Sequence, residues 1–320
     1  MDFTISTYSA LIKTLQQQGF SFLTFKEFIS ESLGKAIVLR HDVDTLPGNS
    51  LEFAKIQADA GIKGTYYFRI LPQSFDVKII KEISSLGHEV GYHYEDLSFA
   101  WTKLKAQGAA CPTERRQSFG LGRRAQGEEF EIELVEKGIE SFSKNLEKLR
   151  KIVPVKTICM HGSPMSRWDS RLLWKYYDYH DFGIIGEPYF DVNFDEVLYL
   201  TDTGRRWDGE SFNIRDKASG VGQQATGDEN RHEVRDLRHG ETQKLHSAHS
   251  TPRSLHPEPF PHFHSTFDII KASGQGRLPD KIMMTFHPQR WSDKILPWAG
   301  ELIMQNLKNI AKYFIIRINS

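Results

Sequence analysis

Cysteine is nearly absent from this chain. Cys111 and Cys159 are the only two in 320 residues, which excludes a disulfide framework. Net charge is missing as well: 41 basic side chains balance 41 acidic ones, so no global field favours nucleic acid or an anionic membrane. No apolar run approaches the length needed to cross a bilayer. The start, Met1-Asp2-Phe3-Thr4, lacks the basic-then-apolar pattern of a signal peptide. These absences lead to the expectation of a soluble, cytoplasmic protein with no membrane span and no nucleic-acid partner. Core material is plentiful. Hydrophobic residues make up 39%, with 21 Phe and 11 Tyr, enough for one sizeable domain or two small ones.

The apolar pattern alternates between two periods. Tyr8, Leu11, Ile12 and Leu15 define a helix face that stops at Gly19, and Thr24 with Glu27 makes a capping box for a second short helix. Strands are expected at 36–40, 65–69, 89–93, 155–160, 182–186, 197–201 and 281–285. Helices are expected near 50–60, 77–86, 168–177 and 267–272. Val135, Ile139, Phe142, Leu146 and Leu149 mark a long amphipathic helix, and Leu302, Leu307 and Ile310 a C-terminal one. This order implies an α/β fold with a parallel sheet, either a distorted (β/α)7 barrel or an open doubly wound sheet. Two polar stretches, 107–128 and 217–263, break the rhythm and read as flexible insertions. The second holds His232, His239, His246, His249, His256 and His262, whose irregular spacing suits solvated loops better than a metal site. Without the insertions about 250 residues remain, the size of a single barrel, so residues 1–320 are taken as one domain.

Chemistry concentrates where the expected strands end. The run Ala36-Ile37-Val38-Leu39 leads into Arg40-His41-Asp42-Val43-Asp44, and strand alternation sends Asp42 and Asp44 to the same side. Two carboxylates pointing together call for a cation or a proton between them. In a hydrolytic metal site one binds the ion and the other handles a proton. A helix N-cap or Asx-turn accounts for one of them but not both. Later strands end in Arg69, His93, His161 and His287, and others are followed by Glu187 and Asp202. A barrel gathers such groups at one mouth.

Asp44, His93 and His161 are the metal-ligand candidates. Carboxylate and imidazole donors suit Zn²⁺, and Co²⁺, Ni²⁺ and Mn²⁺ also accept them. Cys159 shares a side with His161 and reads as a packing residue beneath it. Gly91, on the same side as His93, allows a close approach by backbone or substrate. His287, held by Pro288, is an imidazole left over for proton donation. Asp202 orients that imidazole or pairs with an arginine, with an Asx-turn as the plain alternative. Arg69 or Arg167 holds Asp42 in its charged form. Among the aromatics, Tyr94, Trp168, Trp207 and Trp291 are candidates for stacking on a sugar ring. Core packing is the competing role for each, since alternation buries half of any strand.

In this order, His41-Asp42-Val43-Asp44, Gly87-His88-Glu89-Val90-Gly91-Tyr92-His93 and the apolar strand ending in His287 resemble the motifs of the polysaccharide deacetylase (NodB homology) family. The resemblance implies a TIM-like, NodB-type distorted barrel and a divalent metal. It implies Asp42 as general base, Asp44 and His93 as ligands, and His287 as general acid. Val43 separates aspartates that the family places side by side. Leu97 stands where the family has its second metal histidine, so Glu95, Asp96 or His161 must replace it, and His161 is preferred for its place at a strand end. The third motif has no clean match; 161–167 is the nearest stretch. The expected function is metal-dependent removal of an N-acetyl or other acyl group from a sugar, carried as a nucleotide- or lipid-linked glycan precursor. The alternative is an inactive deacetylase-like barrel that binds a glycan or protein partner. A glycosidase-like acid/base pair is disfavoured, because Asp42 and Asp44 lie too close together on one strand.

Overall fold

The computed structural model describes residues 1–30, 34–108, 121–162, 168–207 and 261–319. Its strands are β1 (Ser21–Leu23), β2 (Ala36–Val43), β3 (Thr65–Phe68), β4 (Glu89–Tyr94), β5 (Ile158–Met160), β6 (Leu198–Thr201) and β7 (Lys281–Phe286). All pairings are parallel, in the order β5-β4-β3-β2-β7-β6 with β1 beside β2. Every residue of β2 is buried, as its β-branched run requires of a central strand. Its first half lies against β1 and its second half against β3, while β7 runs along the other side.

The sheet is a curled, all-parallel half-barrel, which fits the α/β class and the incomplete or distorted barrel expected without completing a (β/α)7 ring among the described residues. Its outer strands, β5 and β6, are not paired with each other among the described residues. Residues 182–186 do not form the strand assigned to them. Asp178 caps a 3₁₀ turn at Tyr179–Phe182, and Gly183 leaves it with φ of 67°. What remains is one parallel bridge between Thr157 and Gly186 beside β5. The three-residue β1 has too few positions for any period to be read.

The helices cover the outer face: α1 (Ile5–Gln17), α2 (Phe25–Ser30), α3 (Pro47–Asp59), α4 (Val77–Ser85), α5 (Asp96–Ala106), α6 (Leu121–Arg150), α7 (Leu173–Tyr176), α8 (Pro188–Asp191), α9 (Thr266–Gly274) and α10 (Ile295–Asn319). Local signals explain their ends. The Thr24–Glu27 capping box is present, Asp76 caps α4, and Ser265 with Asp268 boxes the start of α9. The stripe on α6 is buried at Val135, Phe142, Leu146 and Leu149, with Ile139 at its margin. The first expected insertion is partly wrong: its last residues, 121–128, belong to α6, and 109–120, with Cys111, lie outside the described residues. Of the second, only 261–263 is described, and Phe263 is buried in the core.

The sheet separates two apolar regions. Ile37, Leu39 and Val43 pack outward into the main core with the helices, whereas Val38, Tyr67, Cys159 and Met283 form a smaller cluster on the inner side. The same parity decides the polar residues of β2. His41 goes outward, stacked on Tyr66 at 4.1 Å, with Nδ1 donating to the Thr65 carbonyl at 3.1 Å. Arg40 and Asp42 go inward.

Burial pushes the His41 imidazole down to about 3, from a usual value of 6.5. The unfolded chain therefore binds a proton between these values that the folded chain refuses. Stability contributed by neutral His41 is complete above pH ~6.5 and declines as pH falls, by about 2 kcal/mol at pH ~5. Urea unfolding across this range should show that slope, and His41→Gln should flatten it. Gly91→Ala should destabilise by about 1–3 kcal/mol, because an added Cβ would meet the Tyr67 ring and lie 2.9 Å from the Thr157 carbonyl. Thermal melts of the two proteins would test this, and an unchanged midpoint would contradict it.

Candidate metal centre

The C-terminal ends of β2, β4 and β5 bring three ligating side chains together. Asp44 follows β2, His93 lies in β4, and His161 follows β5, its N–H donating to the Tyr94 carbonyl at 2.9 Å. Their ligating atoms all lie within 4.8 Å of one another. Asp44 Oδ1 is 3.4 Å from His161 Nε2 and 3.7 Å from His93 Nε2. Tetrahedral coordination with bonds of about 2.0–2.1 Å separates neighbouring donors by about 3.3 Å, so the spacing fits a divalent cation.

Three further observations support that fit. Asp44 Oδ1 is buried and has no hydrogen-bond partner. A desolvated carboxylate oxygen facing two imidazole nitrogens has a lone pair directed at the place where a cation would be shared with them. His93 Nδ1 lies 2.9 Å from the Cys159 carbonyl, which requires the proton on Nδ1 and leaves the Nε2 lone pair for an ion. Burial pushes His93 down to about 4, so it is neutral, as a ligand must be, well into the acid range. Side-chain exposure is 2% for His93 but 19% for Asp44 and 14% for His161, so solvent reaches the centre from the Asp44–His161 side.

Asp42, His93 and Cys159 form a second cluster sharing His93. It is the poorer site. The Cys159 thiol is fully buried and pushed well above its usual range by that burial, which opposes the thiolate. Both Asp42 oxygens are already held by Arg40, from Nε at 2.8 Å and Nη2 at 2.6 Å. Burial alone would raise the Asp42 carboxyl, but Arg40 and then His93 hold it far below the usual carboxylate range. Asp42 is thus a fixed anion beside the ligands, with Oδ2 3.6 Å from His93 Nε2.

The partner of Asp42 corrects the expectation of Arg69. Arg69 instead grips Glu95, from Nε at 2.6 Å and Nη2 at 2.7 Å. Despite the opposing effect of burial, His161 and Arg69 hold the Glu95 carboxyl down to about 2. Glu95 Oε2 stands 3.4 Å from His161 Nδ1 without a hydrogen bond between them, and with both oxygens taken by Arg69 it lies outside the Asp44–His93–His161 grouping. Asp96 is excluded differently. It points into the α5–α6 packing and accepts from Tyr92, Ser141 and Asn145. Leu97 is fully buried against Gly138. Arg167 lies outside the described residues.

His287 and Asp202 form a second polar unit at the ends of β7 and β6. Asp202 accepts from His287 Nδ1 at 2.6 Å, the His287 backbone N–H at 2.8 Å, Arg290 Nη1 at 3.1 Å and Trp291 Nε1 at 2.7 Å. Burial would raise the Asp202 carboxyl, but His287 and Arg290 hold it below the usual range. The carboxylate fixes Nδ1 as the protonated nitrogen and leaves Nε2 for exchange. His287 also acts electrostatically on Asp42 and Asp44, and Gln289 Nε2 donates to Asp44 Oδ2 at 3.4 Å.

The aromatic candidates separate. Tyr94 is fully buried and accepts from Trp174 Nε1, because β4 alternation turns it opposite to His93. Trp207 is buried on Phe3, Phe286 and Trp291, with Nε1 donating to Thr266. Trp291 is buried too, and its contribution is the indole N–H given to Asp202. Only Trp168 of the four is partly exposed, against Trp101 and Phe130. Arg40 was legible and missed: it lies two residues before Asp42 on one strand and so shares its side.

With the folded protein stripped and reloaded, His93→Ala and His161→Ala should each weaken Zn²⁺ binding by more than about 100-fold, and Glu95→Gln by about 10-fold to 100-fold. Asp42→Asn should leave stoichiometry unchanged. Calorimetric titration with Zn²⁺ checks each, and wild-type affinity in His161→Ala would remove it from the ligand set. Compared with protein-family models, curated proteins and solved structures, the chain matches none.

Proposed function

We propose that this chain is a metal-dependent hydrolase that removes an N-acetyl or related acyl group from a sugar or glycan precursor. One observation carries this reading: a two-imidazole, one-carboxylate cation site lies beside a separate, arginine-held carboxylate and within electrostatic reach of a carboxylate-oriented imidazole. A structural cation needs neither extra group, whereas amide hydrolysis needs both a proton acceptor and a donor. Asp44, His93 and His161 would hold the ion, with Zn²⁺ the best match to their donors. A divalent ion bound there supplies Lewis acidity, which acidifies a water and polarises an acyl carbonyl.

The chain's own groups divide the remaining work. Asp42, kept ionised by Arg40, takes a proton as water adds to the acyl carbon. His287, oriented through Nδ1 by Asp202, gives a proton from Nε2 to the nitrogen as the C–N bond breaks, so a neutral amine leaves. The products are a carboxylate and an amino sugar. Nε2 lies on the ring edge opposite the Asp202 contact, so donation does not disrupt that hydrogen bond. The partly exposed Trp168 is the remaining stacking face for a sugar.

Zn²⁺-loaded protein incubated with chitin oligosaccharides and with a nucleotide-linked N-acetylhexosamine should release acetate from at least one. Asp42→Asn and His287→Ala should each reduce kcat by about 10²–10⁴-fold while retaining the metal. A wild-type rate in Asp42→Asn would defeat the assignment. A full complement of metal with no acetate from any N-acetylated sugar would favour the non-catalytic glycan-binding alternative.

A further inference from the structure

α10 reverses the usual order of an amphipathic helix. Its buried side includes Gln305, which donates to Glu301 Oε1 at 2.6 Å. Its solvent side shows Ile295, Leu296, Ile303, Met304 and Leu307, with exposures of 70, 85, 62, 49 and 57%. Single exposed apolar residues are ordinary, but a cluster on one helix marks an interaction surface. Leu296, Ile303 and Leu307 recur at helical spacing as one stripe, and the sequence continues that spacing through Ile310, Phe314 and Ile318.

Charge selects what covers this stripe. The whole chain is neutral, yet after Glu301 the sequence holds Lys308, Lys312 and Arg317 and no acidic residue. A surface of opposite charge complements this cationic run. An anionic bilayer offers an apolar phase and the opposite charge at once. No described helix is long and apolar enough to cross a membrane, so the fitting geometry is a helix lying in the interface.

The helix also lies on the side of the sheet where β6 and β7 end. It begins just after the loop that carries His287 and Trp291. Arg205, in the turn after Asp202, donates from Nη1 to the Trp298 carbonyl at 2.8 Å and places its guanidinium 4.7 Å from the Trp298 ring. We propose that α10 docks this protein on an anionic membrane surface and presents the mouth of the centre to a lipid-linked glycan. The choice of glycan rests on the deacylase reading; the docking does not.

The full, metal-loaded chain should co-sediment with vesicles containing about one-third phosphatidylglycerol in phosphatidylcholine, at least about tenfold more tightly than with phosphatidylcholine alone. High salt should release it. Leu296→Glu, Ile303→Glu and Leu307→Glu combined should abolish binding, while melting temperature and metal content stay unchanged because these side chains are already in water. No binding to anionic vesicles, equal binding to neutral ones, or full binding by the triple variant would overturn the proposal. So would a light-scattering dimer that the triple variant converts to monomer, since a second copy would then be the occupant. Vesicle binding requires no turnover, so a failed deacetylation assay leaves this result readable by itself.

Discussion

The bidentate pair between Arg40 and Asp42 is the interaction on which the rest of the centre depends. Both partners are almost completely withdrawn from water, and a lone carboxylate there would take up a proton rather than stay charged. With the guanidinium beside it, Asp42 remains an anion against His93 and near Asp44. The pair also settles the division of labour. An aspartate whose oxygens are both held by arginine makes a poor ligand, which leaves Asp44, with an unpartnered inner oxygen, as the better candidate for holding a cation.

Around that pair the structure uses one device twice: an imidazole is fixed through Nδ1 so that Nε2 is free. His93 is fixed by the Cys159 carbonyl and His287 by Asp202, while His161 Nδ1 only lies 3.4 Å from the Glu95 carboxylate that Arg69 grips. The fixing groups come from strands or turns other than the imidazole's own. Parallel strands make this natural, since their C-terminal ends all open to one side and their neighbours differ in sequence position by tens of residues.

Much of this architecture was readable beforehand because it is local. Alternation within β2 places Asp42 inward whatever the rest of the chain does, and the helix caps depend on residues three apart. How far the barrel is completed was not readable, because closure depends on whether the outermost strands reach each other, and a sheet that curls partway has the same hydrophobic pattern. The aromatic side chains misled for a related reason. Tyr94, Trp207 and Trp291 stand next to polar residues in sequence, but neighbours on a strand or turn face opposite ways, and these three face the core. The position of Leu97 pointed to a missing ligand, and the fold brings His161, from another strand, within reach of Asp44 and His93.

The sequence by itself determined the alternation of strands and helices, the parallel sheet, and the parity that sends Arg40 and Asp42 to one side and His41 to the other. These follow from backbone geometry and from periods of two and 3.6 residues, which no distant contact changes. Tertiary structure alone decided which arginine serves which carboxylate, that Glu95 pairs with Arg69, and which aromatic residue stays partly exposed. Those outcomes are set by distances of a few ångströms between segments far apart in the chain, where a shift of one strand position exchanges a buried partner for an exposed one.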